Sequence, residues 1–173
     1  MNAAELASSF AVALSAIFFV VDPFGVVPIS LVITAGASAQ KMRSMALRAC
    51  SVACGLLIFF ALFGGFLFTE EGLAKDDVAL VPLAIPLLAG PGAIASSMVL
   101  MSRGHGATYV AVVLSSIVLT FVASYLVLRS ARHVQRVLQQ SGIAILHRVT
   151  GLILAAIAVQ FMADGLKDLL SLH

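Results

Sequence analysis

Five long apolar segments run through this chain of 173 residues and constrain its fold more than any other feature. They cover residues 6–34, 49–68, 78–100, 107–128 and 149–170. A helix needs about 20 apolar residues to cross a bilayer, and the second and fourth segments have that length. Hydrophobic residues make up 61% of the chain and charged residues 10%, whereas soluble domains contain about 25% charged residues. The sequence therefore predicts an all-α, polytopic membrane helix bundle that forms one domain over residues 1–173.

The net charge of the chain indicates which partners such a bundle can bind. The net charge of +2 is small and spread along the connections, which argues against nucleic acid and leaves the lipid bilayer as the expected partner. Residues 1–9 contain Glu5 and no Lys or Arg, so we expect no cleaved signal peptide. The sequence does not determine the oligomeric state.

The first apolar segment contains an acid and two prolines in its middle. Asp22-Pro23-Phe24-Gly25 is followed by Pro28, and Asp22 is the only charged residue between Leu6 and Gln40. An ionisable residue inside a membrane segment indicates a functional site, because burying its charge in lipid is costly. The prolines lack an amide donor, so we expect the helix to break here. The freed backbone groups must then lie in protein or beside a wet cavity.

Two roles of Asp22 fit this pattern. As a functional group it would carry a proton or bind a cation. As a structural group it would only cap the helix that follows, since aspartate before proline often starts a helix.

The third apolar segment contains a second set of helix breakers. Pro82 and Pro86 precede Gly90-Pro91-Gly92, and this composition predicts a broken or re-entrant helix. A half-helix that starts after Gly25 or after Gly92 would direct its N-terminal amides into a cavity, which suits an anionic group. Close helix packing at the glycines is the alternative.

Basic residues in the connections test this arrangement. Lys41, Arg43 and Arg48 follow the first segment, and a second basic group follows the fourth segment, so both connections are expected on the cytoplasmic side. Three single crossings between them would place them on opposite sides. We therefore predict that the segment 78–100 enters and leaves on the same face. A five-pass bundle that departs from the charge rule is the alternative.

Three groups of residues resemble the MarC family of integral membrane proteins. They are Asp22-Pro23-Phe24-Gly25 with Pro28 and Thr34, the stretch 81–94 (VPLAIPLLAGPGAI), and the stretch 151–161 (GLILAAIAVQF) with Asp164-Gly165. The resemblance implies about six membrane segments in two three-helix halves of inverted topology, located in the bacterial cytoplasmic membrane. It also implies a transporter or exporter of an unidentified small solute or ion. In such folds the paired helix breaks commonly lie opposite each other at the substrate site.

One departure from the family pattern affects this expectation. Family members carry a further apolar helix between the second segment and the stretch 81–94, where this chain has only a short acidic linker. We therefore expect an incomplete inverted repeat, with half-repeats at about 1–68 and 78–173 and a linker at 69–77. The predicted pathway residues are Asp22, Pro23, Gly25, Pro28, Gly90, Pro91, Gly92, Gln160 and Asp164. A non-transporting membrane scaffold or regulatory protein is the main alternative.

The last segment supplies the remaining two pathway residues. Gln160 and Asp164 lie one helical turn apart, so both can face the same interior surface. Asp164 can equally lie at the membrane surface near Lys167 and Asp168.

Other chemistry has weaker support in the sequence. Cys50 and Cys54 suggest a membrane thiol-transfer protein, although packing with Gly55 is the simpler interpretation. His105, His133 and His147 are expected in connections, and no cluster of residues has metal-ligand spacing, so we predict no metal and no cofactor. No catalytic constellation is apparent, and we predict that the chain is not an enzyme. Small polar residues such as Ser97 and Thr120 are expected to pack between helices.

The stretch from Arg129 to His147 is partly amphipathic. Basic side chains occupy one side, and Val134, Val137 and Leu138 occupy the other, with Gly142 expected to end the helix. This stretch is expected to lie along the inner leaflet or to extend the fourth helix. Anionic lipid headgroups are its expected partners, bound at Arg129, Arg132 and Arg136.

Overall fold

A computed structural model describes residues 2–67, 88–104 and 106–171, and these residues form helices and no strands. The all-α prediction is confirmed. The helices are α1 (Ala3–Val21), α2 (Val26–Ile33), α3 (Ala39–Leu67), α4 (Pro91–Ser102), α5 (Ala107–Arg129) and α6 (Ala131–Ser171). The expected acidic linker and the first part of the third apolar segment lie outside the described residues, so the division into half-repeats stays a prediction.

Four of these helices are long and apolar enough to cross a membrane. Their candidate spans are Ala4–Val21, Ala39–Gly64, Ala107–Arg129 and Ser141–Lys167. Helix α4 is also apolar but has 12 residues and measures about 18 Å, which is shorter than a hydrocarbon core of about 30 Å. It is therefore a half-helix, as the Pro/Gly pattern predicts.

The core lies where α1, α3, α4 and α5 meet. Ile17, Leu57, Ile117 and Leu100 are almost completely buried there. Small polar residues are buried as well, and Ser97, Ser116 and Ser124 each donate a hydrogen bond to a carbonyl of their own helix. Their small size lets the helices approach closely, which is the main source of packing between helices in lipid.

Both basic connections lie at the same end of the bundle, which we call the basic end. The Arg132 guanidinium at the start of α6 donates a 3.0 Å hydrogen bond to the carbonyl of Ala37, just before α3. At the other end, which we call the distal end, α3 and α4 finish side by side, and Gly64 of α3 lies against Met98 of α4. The ends of α3 and α4 thus lie together, but the start of segment 78–100 is outside the described residues, so its re-entrant path stays a prediction.

Two helices differ from the sequence prediction. Helix α3 begins at Ala39, ten residues before the predicted apolar segment, because Lys41, Arg43 and Arg48 are good helix formers that hydropathy alone does not recognise. The prediction that Gly142 ends a helix is wrong. Helix α6 is interrupted instead at Gln139, which has φ 51° and ψ −175°, and it continues through Gly142.

The placement of His147 in a connection is also wrong. The apolar helical part of α6 begins at Ser141, so His147 lies inside the fourth candidate span. His133 lies in the first turns of α6, and His105 is outside the described residues.

Candidate functional site

The break between α1 and α2 is built by the residues Asp22-Pro23-Phe24-Gly25. Asp22 ends α1 with its amide donating to the Phe18 carbonyl, and its backbone is left-handed, with φ 44° and ψ 65°. Aspartate is one of the few residues other than glycine that adopt this conformation. Pro23 is buried and cannot continue the hydrogen-bond ladder of α1. The predicted break is therefore confirmed.

Pro28 does not break a helix. It is the third residue of α2, in the first turn, where backbone amides have no partner within the helix. A proline at this position removes no hydrogen bond. Of the two prolines in this motif, only Pro23 coincides with the interruption.

Gly25 lies where a side chain would have little space. A Cβ atom built on Gly25 would lie 2.2 Å from Oδ2 of Asp22 and 2.8 Å from Cε1 of His147. Its φ of −63° is ordinary, so the constraint is space and not backbone conformation. The glycine lets a carboxylate and an imidazole approach the backbone from two different helices.

The two oxygens of the Asp22 carboxylate have different partners. Oδ1 accepts a hydrogen bond of 3.1 Å from the amide of Gly25, which closes the turn. Oδ2 lies 3.6 Å from Nδ1 of His147 on α6. Asp22 therefore closes the turn before α2 with one oxygen and leaves the other to face a titratable side chain. The side chains of Asp22 and His147 are 26% and 48% exposed, respectively, so neither is fully buried.

The second break lies against the first. Gly90 precedes α4 in an extended conformation, and Pro91 is the first residue of the helix, where a proline is favoured. A Cβ built on Gly92 would lie 3.6 Å from Val20, two residues before Asp22. The close approach expected of the glycines is thus seen at Gly92; at Gly90 a Cβ would meet no described residue within 4 Å.

An apolar cavity begins at Val26, the first residue of α2 and four residues after Asp22. It has a volume of about 190 Å³ and lies between α2, the start of α3, Leu88 and Leu128. Its hydroxyl groups, on Ser30 and Thr34, donate to backbone carbonyls of α2. The walls therefore present mainly apolar surface.

Gln160 and Asp164 lie in a different place from the two breaks. Asp164 pairs with Arg103 just after α4, with Oδ2 and Nη2 2.6 Å apart. His147 and Asp164 are 17 residues apart in one continuous helix, which corresponds to about 25 Å along the α6 axis. The structure brings seven predicted pathway residues together around the breaks and places Gln160 and Asp164 at the distal end.

His147 was missed as a pathway residue, and so was Arg103. The sequence contained a signal for His147. If the last apolar helix is started at Ser141, the ionisable side chain of His147 lies inside an apolar span. Arg103 gives no such signal. It follows a half-helix in sequence, and only the fold brings it to α6, 61 residues later.

The two cysteines lie in α3 and not beside the breaks. Cys50 is buried in the core and Cys54 is half-buried, and both line a shallow groove with Tyr125. Nothing in this position favours thiol chemistry over packing. Within the described ranges, no three His, Cys, Asp or Glu side chains are grouped so that they could hold a metal ion. The absence of a metal and a cofactor stays a prediction.

Comparison with known proteins agrees with this arrangement. The profile of the MarC family of integral membrane proteins matches residues 7–72 and 68–170. The chain belongs to the MarC family. It is therefore a multi-pass integral membrane protein, and its apolar helices cross a bilayer.

Relatives of this MarC protein are similar over nearly their whole length. A UPF0056 membrane protein of Methanocaldococcus jannaschii is 31% identical, over 93% of this chain and 97% of the relative. One of Aquifex aeolicus is 30% identical, over 96% of each chain. The UPF0056 membrane protein YvbG of Bacillus subtilis is 26% identical, over 88% and 92%. No solved structure matches the chain significantly.

The same comparisons show that this MarC protein is shorter than its alignment with a relative. The alignment with the Methanocaldococcus relative extends over 199 positions, whereas this chain has 173 residues, so at least 26 positions have no counterpart here. That number is enough for one membrane helix. The two pieces of the family profile meet at residues 68–72, where the sequence predicts that a helix is missing.

Proposed function

We propose that this MarC protein is a membrane carrier for a small solute or ion, and that Asp22 lies on the transport pathway. The observation that carries the proposal is Oδ2 of Asp22, which takes no part in closing the turn and lies 3.6 Å from Nδ1 of His147 across the break between α1 and α2. A side chain that served only to close the turn would need one oxygen, and Oδ1 already accepts the Gly25 amide.

The pairing of two helix breaks supports this function. Discontinuous helices that meet inside a membrane protein commonly form the binding sites of secondary transporters, because they expose backbone groups in a protected place. Here Gly92 at the start of α4 lies against Val20 at the end of α1. A solute at this point would meet both helix interruptions and the Asp22 carboxylate.

The neighbouring cavity indicates the size of the solute. Its volume of about 190 Å³ is close to that of an engineered cavity of about 150 Å³ that binds benzene. A substrate with a small apolar part and one polar group would fit the apolar wall and the Asp22 carboxylate together. Asp22 would act either by carrying a proton or by binding a cation, with His147 as the neighbouring titratable group.

Flux through proteoliposomes tests the proposal. The vesicles hold a trapped pH dye under an imposed membrane potential, and small neutral, anionic and cationic solutes are added in turn. We expect solute-dependent flux with the wild-type protein and its loss in Asp22→Asn. Asparagine tolerates the left-handed backbone and retains an oxygen for the Gly25 amide, so this variant is expected to fold.

The matched control is Glu5→Gln, which removes an acid at the start of α1, away from the breaks. This variant is expected to transport like the wild-type protein. Equal flux in Asp22→Asn, or no flux with any solute in the wild-type protein, would contradict a carrier function.

A non-transporting membrane scaffold or regulatory protein is the second candidate. The observation that favours it is the short chain, because at least 26 positions of the alignment with a relative have no counterpart in its 173 residues. In that case Asp22→Asn would change assembly or thermal stability, and no solute-dependent flux would appear. Size-exclusion chromatography in detergent, performed beside the flux assay, separates the two functions.

A further inference from the structure

We propose that the ion pair between Arg103 and Asp164 is a gate that closes the transport pathway at the distal end of the bundle. This inference rests on the carrier function proposed above and adds a second functional site to it. The pair joins the residue just after α4 to the last third of α6, far from the breaks.

Two side chains of α6 hold Arg103 in place. Its Nη2 atom lies 2.6 Å from Oδ2 of Asp164, and its guanidinium carbon lies 4.9 Å from the centre of the Phe161 ring. Phe161 and Asp164 are three residues apart and therefore on one face of the helix. Arg103 thus makes an ionic and a cation–π contact with the same helix, and both contacts break together if α6 moves away.

The ion pair lies beside a cavity, which we call the distal cavity. A space of about 350 Å³ lies between α1, the end of α4 and α6, and Arg103 and Phe161 form part of its wall. Gln160 and Ser15 supply polar groups to the same wall. Because Arg103 bridges from α4 to α6, separation of Arg103 from Asp164 would widen the entrance to this space.

The small contribution of this ion pair to stability suits a contact that opens and closes. The side chains of Arg103 and Asp164 are 27% and 41% exposed, and an exposed ion pair contributes little net stability because water solvates both partners when it separates. Such a pair can break and form again at small cost.

Helix α6 is the element best placed to move. Only 6% of its candidate span is buried, compared with 33% and 39% for the spans of α3 and α5. The non-helical backbone at Gln139 separates this span from the start of α6 and provides a point of rotation. Among the described residues, the span contacts Asp22 through His147 and Arg103 through Asp164. These contacts lie about 25 Å apart along the helix.

This arrangement fits alternating access. One contact is at the breaks, towards the basic end, and the other is at the distal end. Rocking of α6 would release one contact while it keeps the other, so the pathway would open to one side at a time.

Cysteine accessibility tests the gate without any substrate. The reporter is Ala16→Cys, a buried residue in the wall of the distal cavity, in a chain whose natural cysteines are replaced by serine. A membrane-impermeant maleimide is added on the distal side, and the labelling rate is measured. We expect a several-fold faster rate in Asp164→Asn and in Arg103→Gln, and a return towards the wild-type rate in the charge-exchanged variant Arg103→Asp/Asp164→Arg.

The control reporter is Ser8→Cys, an exposed residue of α1, which should label equally fast in every variant. Unchanged labelling of Ala16→Cys in both single variants would overturn the gate, and reduced thermal stability with unchanged labelling would show a structural contact only. If the single variants label faster but the wild-type protein shows no solute flux, the ion pair still closes the distal cavity. Only the carrier function is then rejected.

Discussion

The imidazole Nδ1 of His147 lies 3.6 Å from Oδ2 of Asp22, which joins the last helix of the bundle to the break between the first two. The two residues are far apart in sequence; Asp22 lies in the first apolar segment and His147 in the fourth candidate span, where an ionisable side chain is costly. Their proximity gives the Asp22 carboxylate a polar neighbour on α6.

Replacement of His147 should reduce transport selectively. In His147→Ala the Asp22 carboxylate loses its neighbour on α6, and we expect solute flux to fall by about tenfold, the effect of an interaction of about 1.4 kcal/mol. His133→Ala is the matched control, because His133 lies in the first turns of α6, before Gln139. Proteoliposome flux measures both variants, and equal activity of the two would contradict a role of His147.

Replacement of Gly25 should destabilise the break. In Gly25→Ala the new methyl group overlaps the Asp22 carboxylate and the His147 ring, which must both shift. We expect a loss of about 1–3 kcal/mol in stability, typical of overpacking. The control is Gly55→Ala in α3, where a Cβ meets nothing within 4 Å and the substitution should stabilise the helix by up to about 1 kcal/mol. Thermal unfolding in detergent compares the two, and equal stability of both variants would show that the break has more space.

Removal of the Thr120 hydroxyl should be tolerated. Its Oγ1 is buried in α5 and has no hydrogen-bond partner among the residues that the structure describes, so Thr120→Val removes a desolvated polar group and keeps the shape of the side chain. We expect unchanged or higher stability, by up to about 1 kcal/mol. Ser124→Ala is the comparison, because the Ser124 hydroxyl donates a 2.8 Å hydrogen bond to the Thr120 carbonyl and its loss should cost about 0.5–1.5 kcal/mol. A larger loss of melting temperature in Thr120→Val than in Ser124→Ala would reverse this order.

The topology can be measured directly. Single cysteines at Arg43 and Arg136 should react with an impermeant maleimide from the same side of the membrane, because the Arg132 guanidinium reaches the Ala37 carbonyl. A cysteine at Arg103 should react from the other side, since α4 ends at the distal end of the bundle. Labelling of Arg43 and Arg136 from opposite sides would contradict the arrangement.

Local chemistry explains which parts of this structure the sequence predicted. Asp22, Pro23 and Gly25 act on the backbone where they stand, so the break could be placed to the residue, and Pro91 likewise marks the first residue of α4. The start of α3 was missed because hydropathy does not register the helix propensity of charged residues. The charge pattern predicted that both basic connections share one side, since that pattern reflects the membrane and not the packing.

Contacts between distant helices could not be predicted in the same way. The pairs of Asp22 with His147 and of Arg103 with Asp164 depend on how α6 lies against α1 and α4. One helix rotated by a single residue turns its side chains by about 100°, so an apolar segment without a strong polar face gives little information about which residue meets which partner. The sequence therefore indicated Asp164 as a candidate and left its partner unknown.

The backbone conformation of Asp22 restricts which residues fit at this position. Its left-handed conformation costs an ordinary residue about 1–2 kcal/mol, and glycine adopts it freely. A glycine at position 22 would relax the turn, but it would also remove the carboxylate that lies beside His147. One residue thus combines an unusual backbone conformation with a charged side chain, so neither can be changed at this position without the other.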